Sequence, residues 1–254
     1  MRSSLFAPLE QLIAPAPPPA RVAFLKSQPF AHRGLHGRGV IENSRAAFRA
    51  AVAIGHGIEL DVQGARDGEA VVFHDATLER LTGATGRVAA LPVGDLERIA
   101  LAGVEETLVQ LPVVLGEIGG RVPVLIEIKG SGEHVAPLCL SVRRALEGYR
   151  GPAAVMAFNP HVPAWFKTHA PRIVRGLVVS EEGRRGLRGD VVRWLAMRRA
   201  GPDFLAYDVR DLPSRFAAAA RGRGIPVLTW TVRDAAAERT ASVCADEAIY
   251  ERAR

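Results

Sequence analysis

The chain has 254 residues, 48% of them hydrophobic and 24% charged, with a formal net charge of +6. That length suits one α/β barrel of about 250 residues, and the apolar content is ample for a buried core, which excludes a disordered or fibrous chain. The positive balance does not point to nucleic acid: lysine occurs only at Lys26, Lys129 and Lys167, so 33 basic residues less three leaves 30 arginines, and no aromatic-interleaved basic strip accompanies them.

Residues 1–28 read as a Pro/Ala-rich lead-in, interrupted by Pro8 and by Pro15-Ala16-Pro17-Pro18-Pro19, with no room for a signal-peptide core. No apolar run reaches the roughly 20 residues that span a bilayer, so no stable membrane insertion is expected. Cys139 and Cys244 stand far apart and read as reduced thiols. Together these features predict a soluble cytoplasmic protein.

A first short strand is predicted at Pro29 to His32. Asn43 or Ser44 then caps a helix through Ala46, Phe48 and Val52, closed by Gly55 and Gly57. Strand Ile58 to Val62 follows, with a companion at Ala70 to His74. Irregular, Gly/Pro-punctuated sequence from Ala76 to Gly120 predicts a small insertion after the second strand, ending in a helix near Val113 to Ile118. From there strands and helices alternate. The strands are Pro123 to Lys129, Ala153 to Phe158, Ile173 to Val179, Phe204 to Val209, Pro226 to Thr231 and Glu247 to Tyr250. The helices between them are Val135 to Glu147, Val162 to Thr168, Val191 to Arg199, Ser214 to Arg221 and Ala235 to Val243. This βα alternation predicts a closed parallel sheet, a (β/α)8 TIM barrel forming a single domain over residues 29–254.

Chemistry-bearing residues sit at the C-terminal ends of these strands, where a barrel of this type carries its active site. Glu59 and Asp61 are two apart on one strand and face the same side, and Glu127 and Lys129 repeat the spacing on another. Converging carboxylates repel, and a divalent cation with oxygen ligands from Glu59, Asp61 and Glu127, Mg²⁺ or Ca²⁺, resolves the repulsion. The plain alternative is an ion-pair network with Arg33 and Lys129. His32 and His74 end two strands and suit proton transfer near such a metal, although each alone is as readily an ordinary structural histidine. Arg33 offers a fork for two phosphate oxygens and Lys129 a point charge for the same group; either could serve only as a counter-ion. His36, between Gly34 and Gly37, reads as a solvated loop histidine rather than a substrate contact.

His32-Arg33-Gly34, Glu42-Asn43, Glu59-x-Asp61, His74-Asp75, Glu127-x-Lys129 and Trp230-Thr231-Val232 stand in the order and spacing of the glycerophosphodiester phosphodiesterases, and the chain resembles that family from about residue 29 onward. The resemblance implies a TIM barrel that cleaves glycerophosphodiesters to an alcohol and sn-glycerol 3-phosphate. It implies His32 and His74 as general acid and base, Glu59, Asp61 and Glu127 as ligands of one divalent cation, and Arg33 and Lys129 as phosphate contacts. Glu42 then supports the site, while Trp230 and Phe158 line the substrate side. Two other readings are a lysophospholipase D acting on lysolipids and a non-catalytic phosphodiester-binding barrel. The sequence departs from the family at Ile41, where proline is usual, and at Ala248-Ile249-Tyr250-Glu251-Arg252, where a Thr-Asp-x-Pro pattern is usual. The second departure leaves the last strand's contribution to the rim open.

Overall fold

The computed structural model describes residues 14–37, 39–183 and 185–252. Ten strands follow one another: β1 (Phe30–Ala31), β2 (Gly57–Gly64), β3 (Ala70–Val72), β4 (Val109–Gln110), β5 (Val124–Ile128), β6 (Ala153–Ala157), β7 (Val174–Val179), β8 (Phe204–Asp208), β9 (Val227–Val232) and β10 (Glu247–Tyr250). Eight of them close a parallel barrel in the order β1, β2, β5, β6, β7, β8, β9, β10 and back to β1, which is the predicted TIM barrel. The β-rich runs are almost continuously apolar because each strand is covered on both faces.

Alternate strand residues fill the barrel. Phe30, Leu125, Ala154, Val174, Phe204, Leu228 and Ile249 meet in one cluster. Two of these rings fit only because a neighbouring strand carries glycine: Phe30 packs over Gly57 and Phe204 over Gly176, where a Cβ would overlap the ring. The floor is closed from below by helix α1 (Pro19–Val22) and a 3₁₀ turn (Ala23–Lys26), whose Val22 and Leu25 join the same cluster. The apolar piece Leu5 to Ile13 of the lead-in lies outside the described residues.

Helix α2 (Arg45–Ala53) has Ser44 as its cap, its hydroxyl accepting from the Ala47 amide at 3.1 Å. Of the two predicted caps, Asn43 is therefore released for another task. Helix α3 (Val93–Leu96) lies in the insertion, and α4 (Leu111–Ile118) ends it. Around the barrel run α5 (Ala136–Glu147), α6 (His161–His169), α7 (Leu187–Ala200), α8 (Arg215–Gly222) and α9 (Ala235–Cys244). Helix α7 starts four residues earlier than the sequence pattern predicts, because its buried residues include Gly189 and Arg193, so the apolar periodicity that locates a helix is lacking there.

The insertion is tied to the barrel in two ways. β3 pairs antiparallel with the upper half of β2 and with β4, extending the sheet beyond the barrel. Above it Phe73, Leu78, Val88, Leu96, Leu101 and Leu108 form a small core of their own. Glu106 then reaches back to accept from the Arg45 and Ala46 amides at 2.8 and 3.1 Å, where a carboxylate complements the exposed N–H groups of α2.

Candidate active site

At the C-terminal ends of the strands the apolar filling gives way to charge. The register of β2 on β5 sets Asp61 opposite Glu127, with Glu59 one inward position below. Carboxylate oxygens of Glu59, Asp61 and Glu127 lie within 4.8 Å of one another, and all three residues are buried. Two cations face these three acids. Lys129 Nζ lies 2.8 Å from Asp61 Oδ1 and 2.5 Å from Glu127 Oε1, and Arg33 Nε lies 3.3 Å from Asp61 Oδ2. The ion-pair network and the acidic cluster of the sequence reading therefore coexist, and the network leaves an excess of carboxylate oxygen. Glu59 Oε1 is buried with no hydrogen-bond partner among the described residues.

The electrostatics divide the trio. Burial, reinforced by the charges of Asp61 and Glu127, pushes the Glu59 carboxyl well above the usual range. Burial also raises Asp61, but Lys129 and Arg33 outweigh it and hold that carboxyl below the usual range. Glu127 is raised by burial, partly offset by Lys129. Three converging carboxylates are a donor set that could hold a divalent cation, and all the donors are oxygen, as Mg²⁺ or Ca²⁺ prefers.

Local backbone geometry positions these groups. Arg33 and Asn43 both adopt left-handed φ values of 55°, a costly conformation for residues other than glycine. In Arg33 it turns the amide to donate to Glu59 Oε2 at 3.0 Å. In Asn43 it turns the side chain so that Nδ2 donates to Asp61 Oδ2 at 2.9 Å while Oδ1 accepts from the Asp61 amide at 3.2 Å. Gly34 must follow Arg33 because its φ is +77° and a Cβ there would lie 2.8 Å from the Ala47 Cβ.

His32 and His74 approach from different elements. His32 follows β1, with Nε2 at 3.9 Å from Glu59 Oε2 and Nδ1 at 2.6 Å from Glu251 Oε1. Glu251, just past β10, also accepts two bonds from Arg233, at 2.7 and 3.0 Å. His74 is carried over the rim by β3, where the Gln63 amide fixes its carbonyl at 2.8 Å. Its Nδ1 lies 2.6 Å from Asp75, and Arg80 of the insertion bridges Asp75 to Glu42 with bonds of 2.5 to 3.1 Å. Glu42 in turn accepts from Arg33 at 2.6 Å. Ionised carboxylates only accept, so each imidazole donates from Nδ1 and keeps a lone pair on Nε2. Burial lowers both histidines toward the neutral form, with Glu251 opposing that for His32 and Asp61 opposing it for His74.

His32, Arg33, Glu59, His74, Glu127 and Lys129 line one cavity of about 260 Å³. Phe158 and Trp230 form its open side, their rings edge-to-face at 5.5 Å, with the indole N–H held by the Ala206 carbonyl at 3.0 Å. Asp61 and Glu42 do not line the cavity: Asp61 pairs with Arg33 and Lys129, and Glu42 with Arg33 and Arg80. Every site residue predicted from the sequence is thus brought to one place.

The profile of the Glycerophosphoryl diester phosphodiesterase family matches residues 32–251. The chain belongs to that family. A glycerophosphodiester phosphodiesterase of Caldanaerobacter subterraneus subsp. tengcongensis is 37% identical over 107 residues, a match covering 41% of this chain and only 40% of that relative. A Mycobacterium tuberculosis protein named "Probable glycerophosphodiester phosphodiesterase 2" is 29% identical over 212 residues, covering 78% and 71% of the two chains. Among solved structures, an Oleispira antarctica phosphodiesterase in complex with the product sn-glycerol-3-phosphate superposes with a TM-score of 0.77 at 21% identity, covering 89% of this chain and 93% of that one. At that identity the likeness speaks for the fold. No helix of the described residues is long and apolar enough to cross a membrane.

Several residues of this glycerophosphoryl diester phosphodiesterase family site escape sequence reasoning. Arg233 follows the Trp230-Thr231-Val232 motif without belonging to it, and Glu251 falls in the segment that departs from the family pattern, so neither stands out. The last strand, whose departure from the family pattern left its rim contacts open, in fact supplies the carboxylate that holds His32. Arg80 sits in irregular sequence, and only its spacing of five residues from Asp75 hints at a contact. Asn43 was visible as half of the Glu42-Asn43 pair, yet as a helix cap rather than an Asp61 partner. His36, expected in solvent, has a side chain only 11% exposed.

Proposed function

We infer that the protein hydrolyses glycerophosphodiesters to an alcohol and sn-glycerol 3-phosphate, using His32 and His74 for proton transfer and one divalent cation, Mg²⁺ or Ca²⁺, held by Glu59, Asp61 and Glu127. The observation that carries this reading is the shared cavity: His32 and His74 open onto the same small space as Glu59 and Glu127 of the buried carboxylate trio, with Asp61 directly behind them. The unpartnered Glu59 Oε1 and the all-oxygen donor set fit the cation. When bound, that cation would neutralise charge on the phosphodiester oxygens.

The protein's own groups do the rest. Arg33 and Lys129 line the cavity and offer positive charge to a phosphate there, with their other contacts fixed by Glu42, Asp61 and Glu127. One histidine Nε2 takes a proton from the attacking hydroxyl, and the other, protonated, returns one to the leaving alkoxide; each exchange is worth about 10²–10⁴ in rate. Asp75 and Glu251 hold the rings so that only Nε2 faces the substrate. Phe158 and Trp230 give the alcohol an apolar wall. We take residues 29–254 as the catalytic barrel after a lead-in of residues 1–28, acting on a small-molecule substrate without nucleic acid. The free thiols Cys139 and Cys244 favour a cytoplasmic setting.

The test is to strip the protein with chelator, add Mg²⁺ or Ca²⁺, and follow release of glycerol 3-phosphate from a panel of glycerophosphodiesters. Cation at about 100 times its dissociation constant should also add about 2.7 kcal/mol of stability, seen as a thermal shift. His32→Ala and His74→Ala should abolish turnover and keep the shift, and Glu59→Gln should lose both. Release from no diester, or wild-type turnover in His32→Ala, would overturn the reading.

A further inference from the structure

Above the carboxylate trio, on the other side of the His32 ring, three more donor atoms converge. One donor atom each of His32, His36 and Glu251 lies within 4.8 Å of the others, with Glu251 Oε1 facing His32 Nδ1 and His36 Nε2. We propose that these three residues form a second metal site, selective for a borderline transition-metal dication such as Zn²⁺, and that filling it switches the enzyme off.

The chemistry of the donors separates this site from the first. Two imidazoles and one carboxylate are the ligand set of three-coordinate protein zinc sites that leave a fourth position for water, and imidazole does not attract Mg²⁺ or Ca²⁺. Ligand distances of about 2.0–2.2 Å require the donors to sit about 3.3–3.5 Å apart. The His32–Glu251 separation of 2.6 Å and the His36–Glu251 separation of 3.9 Å bracket that spacing, and the third side, His32 to His36, is no longer than 4.8 Å. His36 is followed by Gly37 and Gly39, both at positive φ, where glycine gives the backbone its widest range.

The surrounding contacts suit ligands held by outer partners. Arg233 holds the Glu251 carboxylate from behind, Nε donating to Oε2 at 2.7 Å and Nη2 to Oε1 at 3.0 Å, while Oε1 also faces the His32 and His36 rings. The far nitrogen of His32 lies 3.9 Å from Glu59, beyond hydrogen-bond reach, so the two clusters share no ligand atom.

On binding, the His32 ring proton moves from Nδ1 to Nε2, so the imidazole stays neutral while a bond to the cation replaces the one to Glu251. With Nε2 protonated the ring has no lone pair left to accept a proton, so turnover stops. This consequence rests on His32 acting in catalysis as proposed above, whereas the binding itself does not.

The experiment is a calorimetric titration of the full chain with Zn²⁺ in saturating Mg²⁺ or Ca²⁺, which occupies the carboxylate trio. One Zn²⁺ equivalent should bind. Its affinity should fall about tenfold or more in His36→Ala and in Glu251→Gln. In metal-controlled buffer His36→Ala should match wild-type turnover with Mg²⁺, and it should keep that turnover at Zn²⁺ concentrations that silence wild type. His36→Gln and thermal melts guard against misfolding. Absence of Zn²⁺ binding in wild type, or equal binding in His36→Ala, overturns the site. If no glycerophosphodiester is cleaved but the titration behaves as described, the site stands and the proposed activity falls.

Discussion

His32 Nδ1 and Glu251 Oε1 are 2.6 Å apart, so the first residue after β1 and the first after β10 lock together across the seam where the barrel closes. Glu251 thereby fixes the ring's orientation and leaves Nε2 as its reactive nitrogen. Glu251→Ala should lower kcat roughly 10- to 100-fold, a part of the ~10²–10⁴ that general acid–base catalysis contributes. KM should change little, because Glu251 stands away from Arg33 and Lys129. Glu251→Asp should recover part of the loss. Steady-state kinetics with a soluble glycerophosphodiester decide the matter, and wild-type kcat in the alanine variant would remove Glu251 from this role.

Arg80 holds two carboxylates at once, Asp75 behind His74 and Glu42 behind Arg33. The bridge uses the planar guanidinium fork, which a lysine ammonium cannot reproduce. Arg80→Lys should therefore behave nearly like Arg80→Met, with kcat down roughly tenfold, within the range of a misplaced acid–base group. The thermal shift on adding Mg²⁺ or Ca²⁺ should persist, since Arg80 does not reach the carboxylate trio. A lysine variant with full activity would show that the fork is dispensable.

Acid stability follows from the same carboxylates. Burial raises Glu42 and Glu251, but Arg80 and Arg33 outweigh it for Glu42, and His32 and Arg233 outweigh it for Glu251, so both are held below the ordinary range. A folded-state value below the unfolded one means stability that is complete above the unfolded value of about 4.3 and drains away as pH falls below it. The melting temperature should thus drop on acidification from about pH 5 downward, and the drop should be shallower in Glu42→Gln and Glu251→Gln. Melts between pH 7 and pH 3 measure it; identical slopes in all three proteins would contradict the assignment.

In the barrel floor, Gly57→Ala brings a methyl to 2.5 Å from the Phe30 ring. Alanine for glycine in a strand ordinarily gains about 0.4–1 kcal/mol through the unfolded chain, but overpacking costs about 1–3 kcal/mol and wins here. Denaturant melts should show net destabilisation, relieved when Phe30→Leu is added. A more stable Gly57→Ala single variant would mean that the ring can move aside.

Much of this was legible in the sequence because a parallel barrel writes itself twice, in βα alternation and in charged residues at strand ends. Glu59 and Asp61 converge because strand side chains alternate with period two, and that rule needs no coordinates. Glu251 was not legible for the opposite reason: its meaning depends on β10 pairing with β1, residues separated by almost the whole chain. Arg80 was hidden because the insertion folds on its own small core and follows no periodicity. Helix α7 blurred where Arg193 takes an inward position that the apolar pattern assigns to a hydrophobic residue. Local rules found the elements and the acids; the partners that orient the histidines are long-range.

The family likeness begins at His32, yet the barrel's underside is finished by residues that precede it. Phe30, Leu25 and Val22 cork the bottom of the cylinder, and Arg21 clamps the cork by donating to the Pro171 and Ile173 carbonyls and to Asp203. A gene fragment trimmed to the recognisable homology would leave this shaft open to water at one end while its mouth stayed intact on paper. The segment that carries no motif is the one that keeps the cylinder dry.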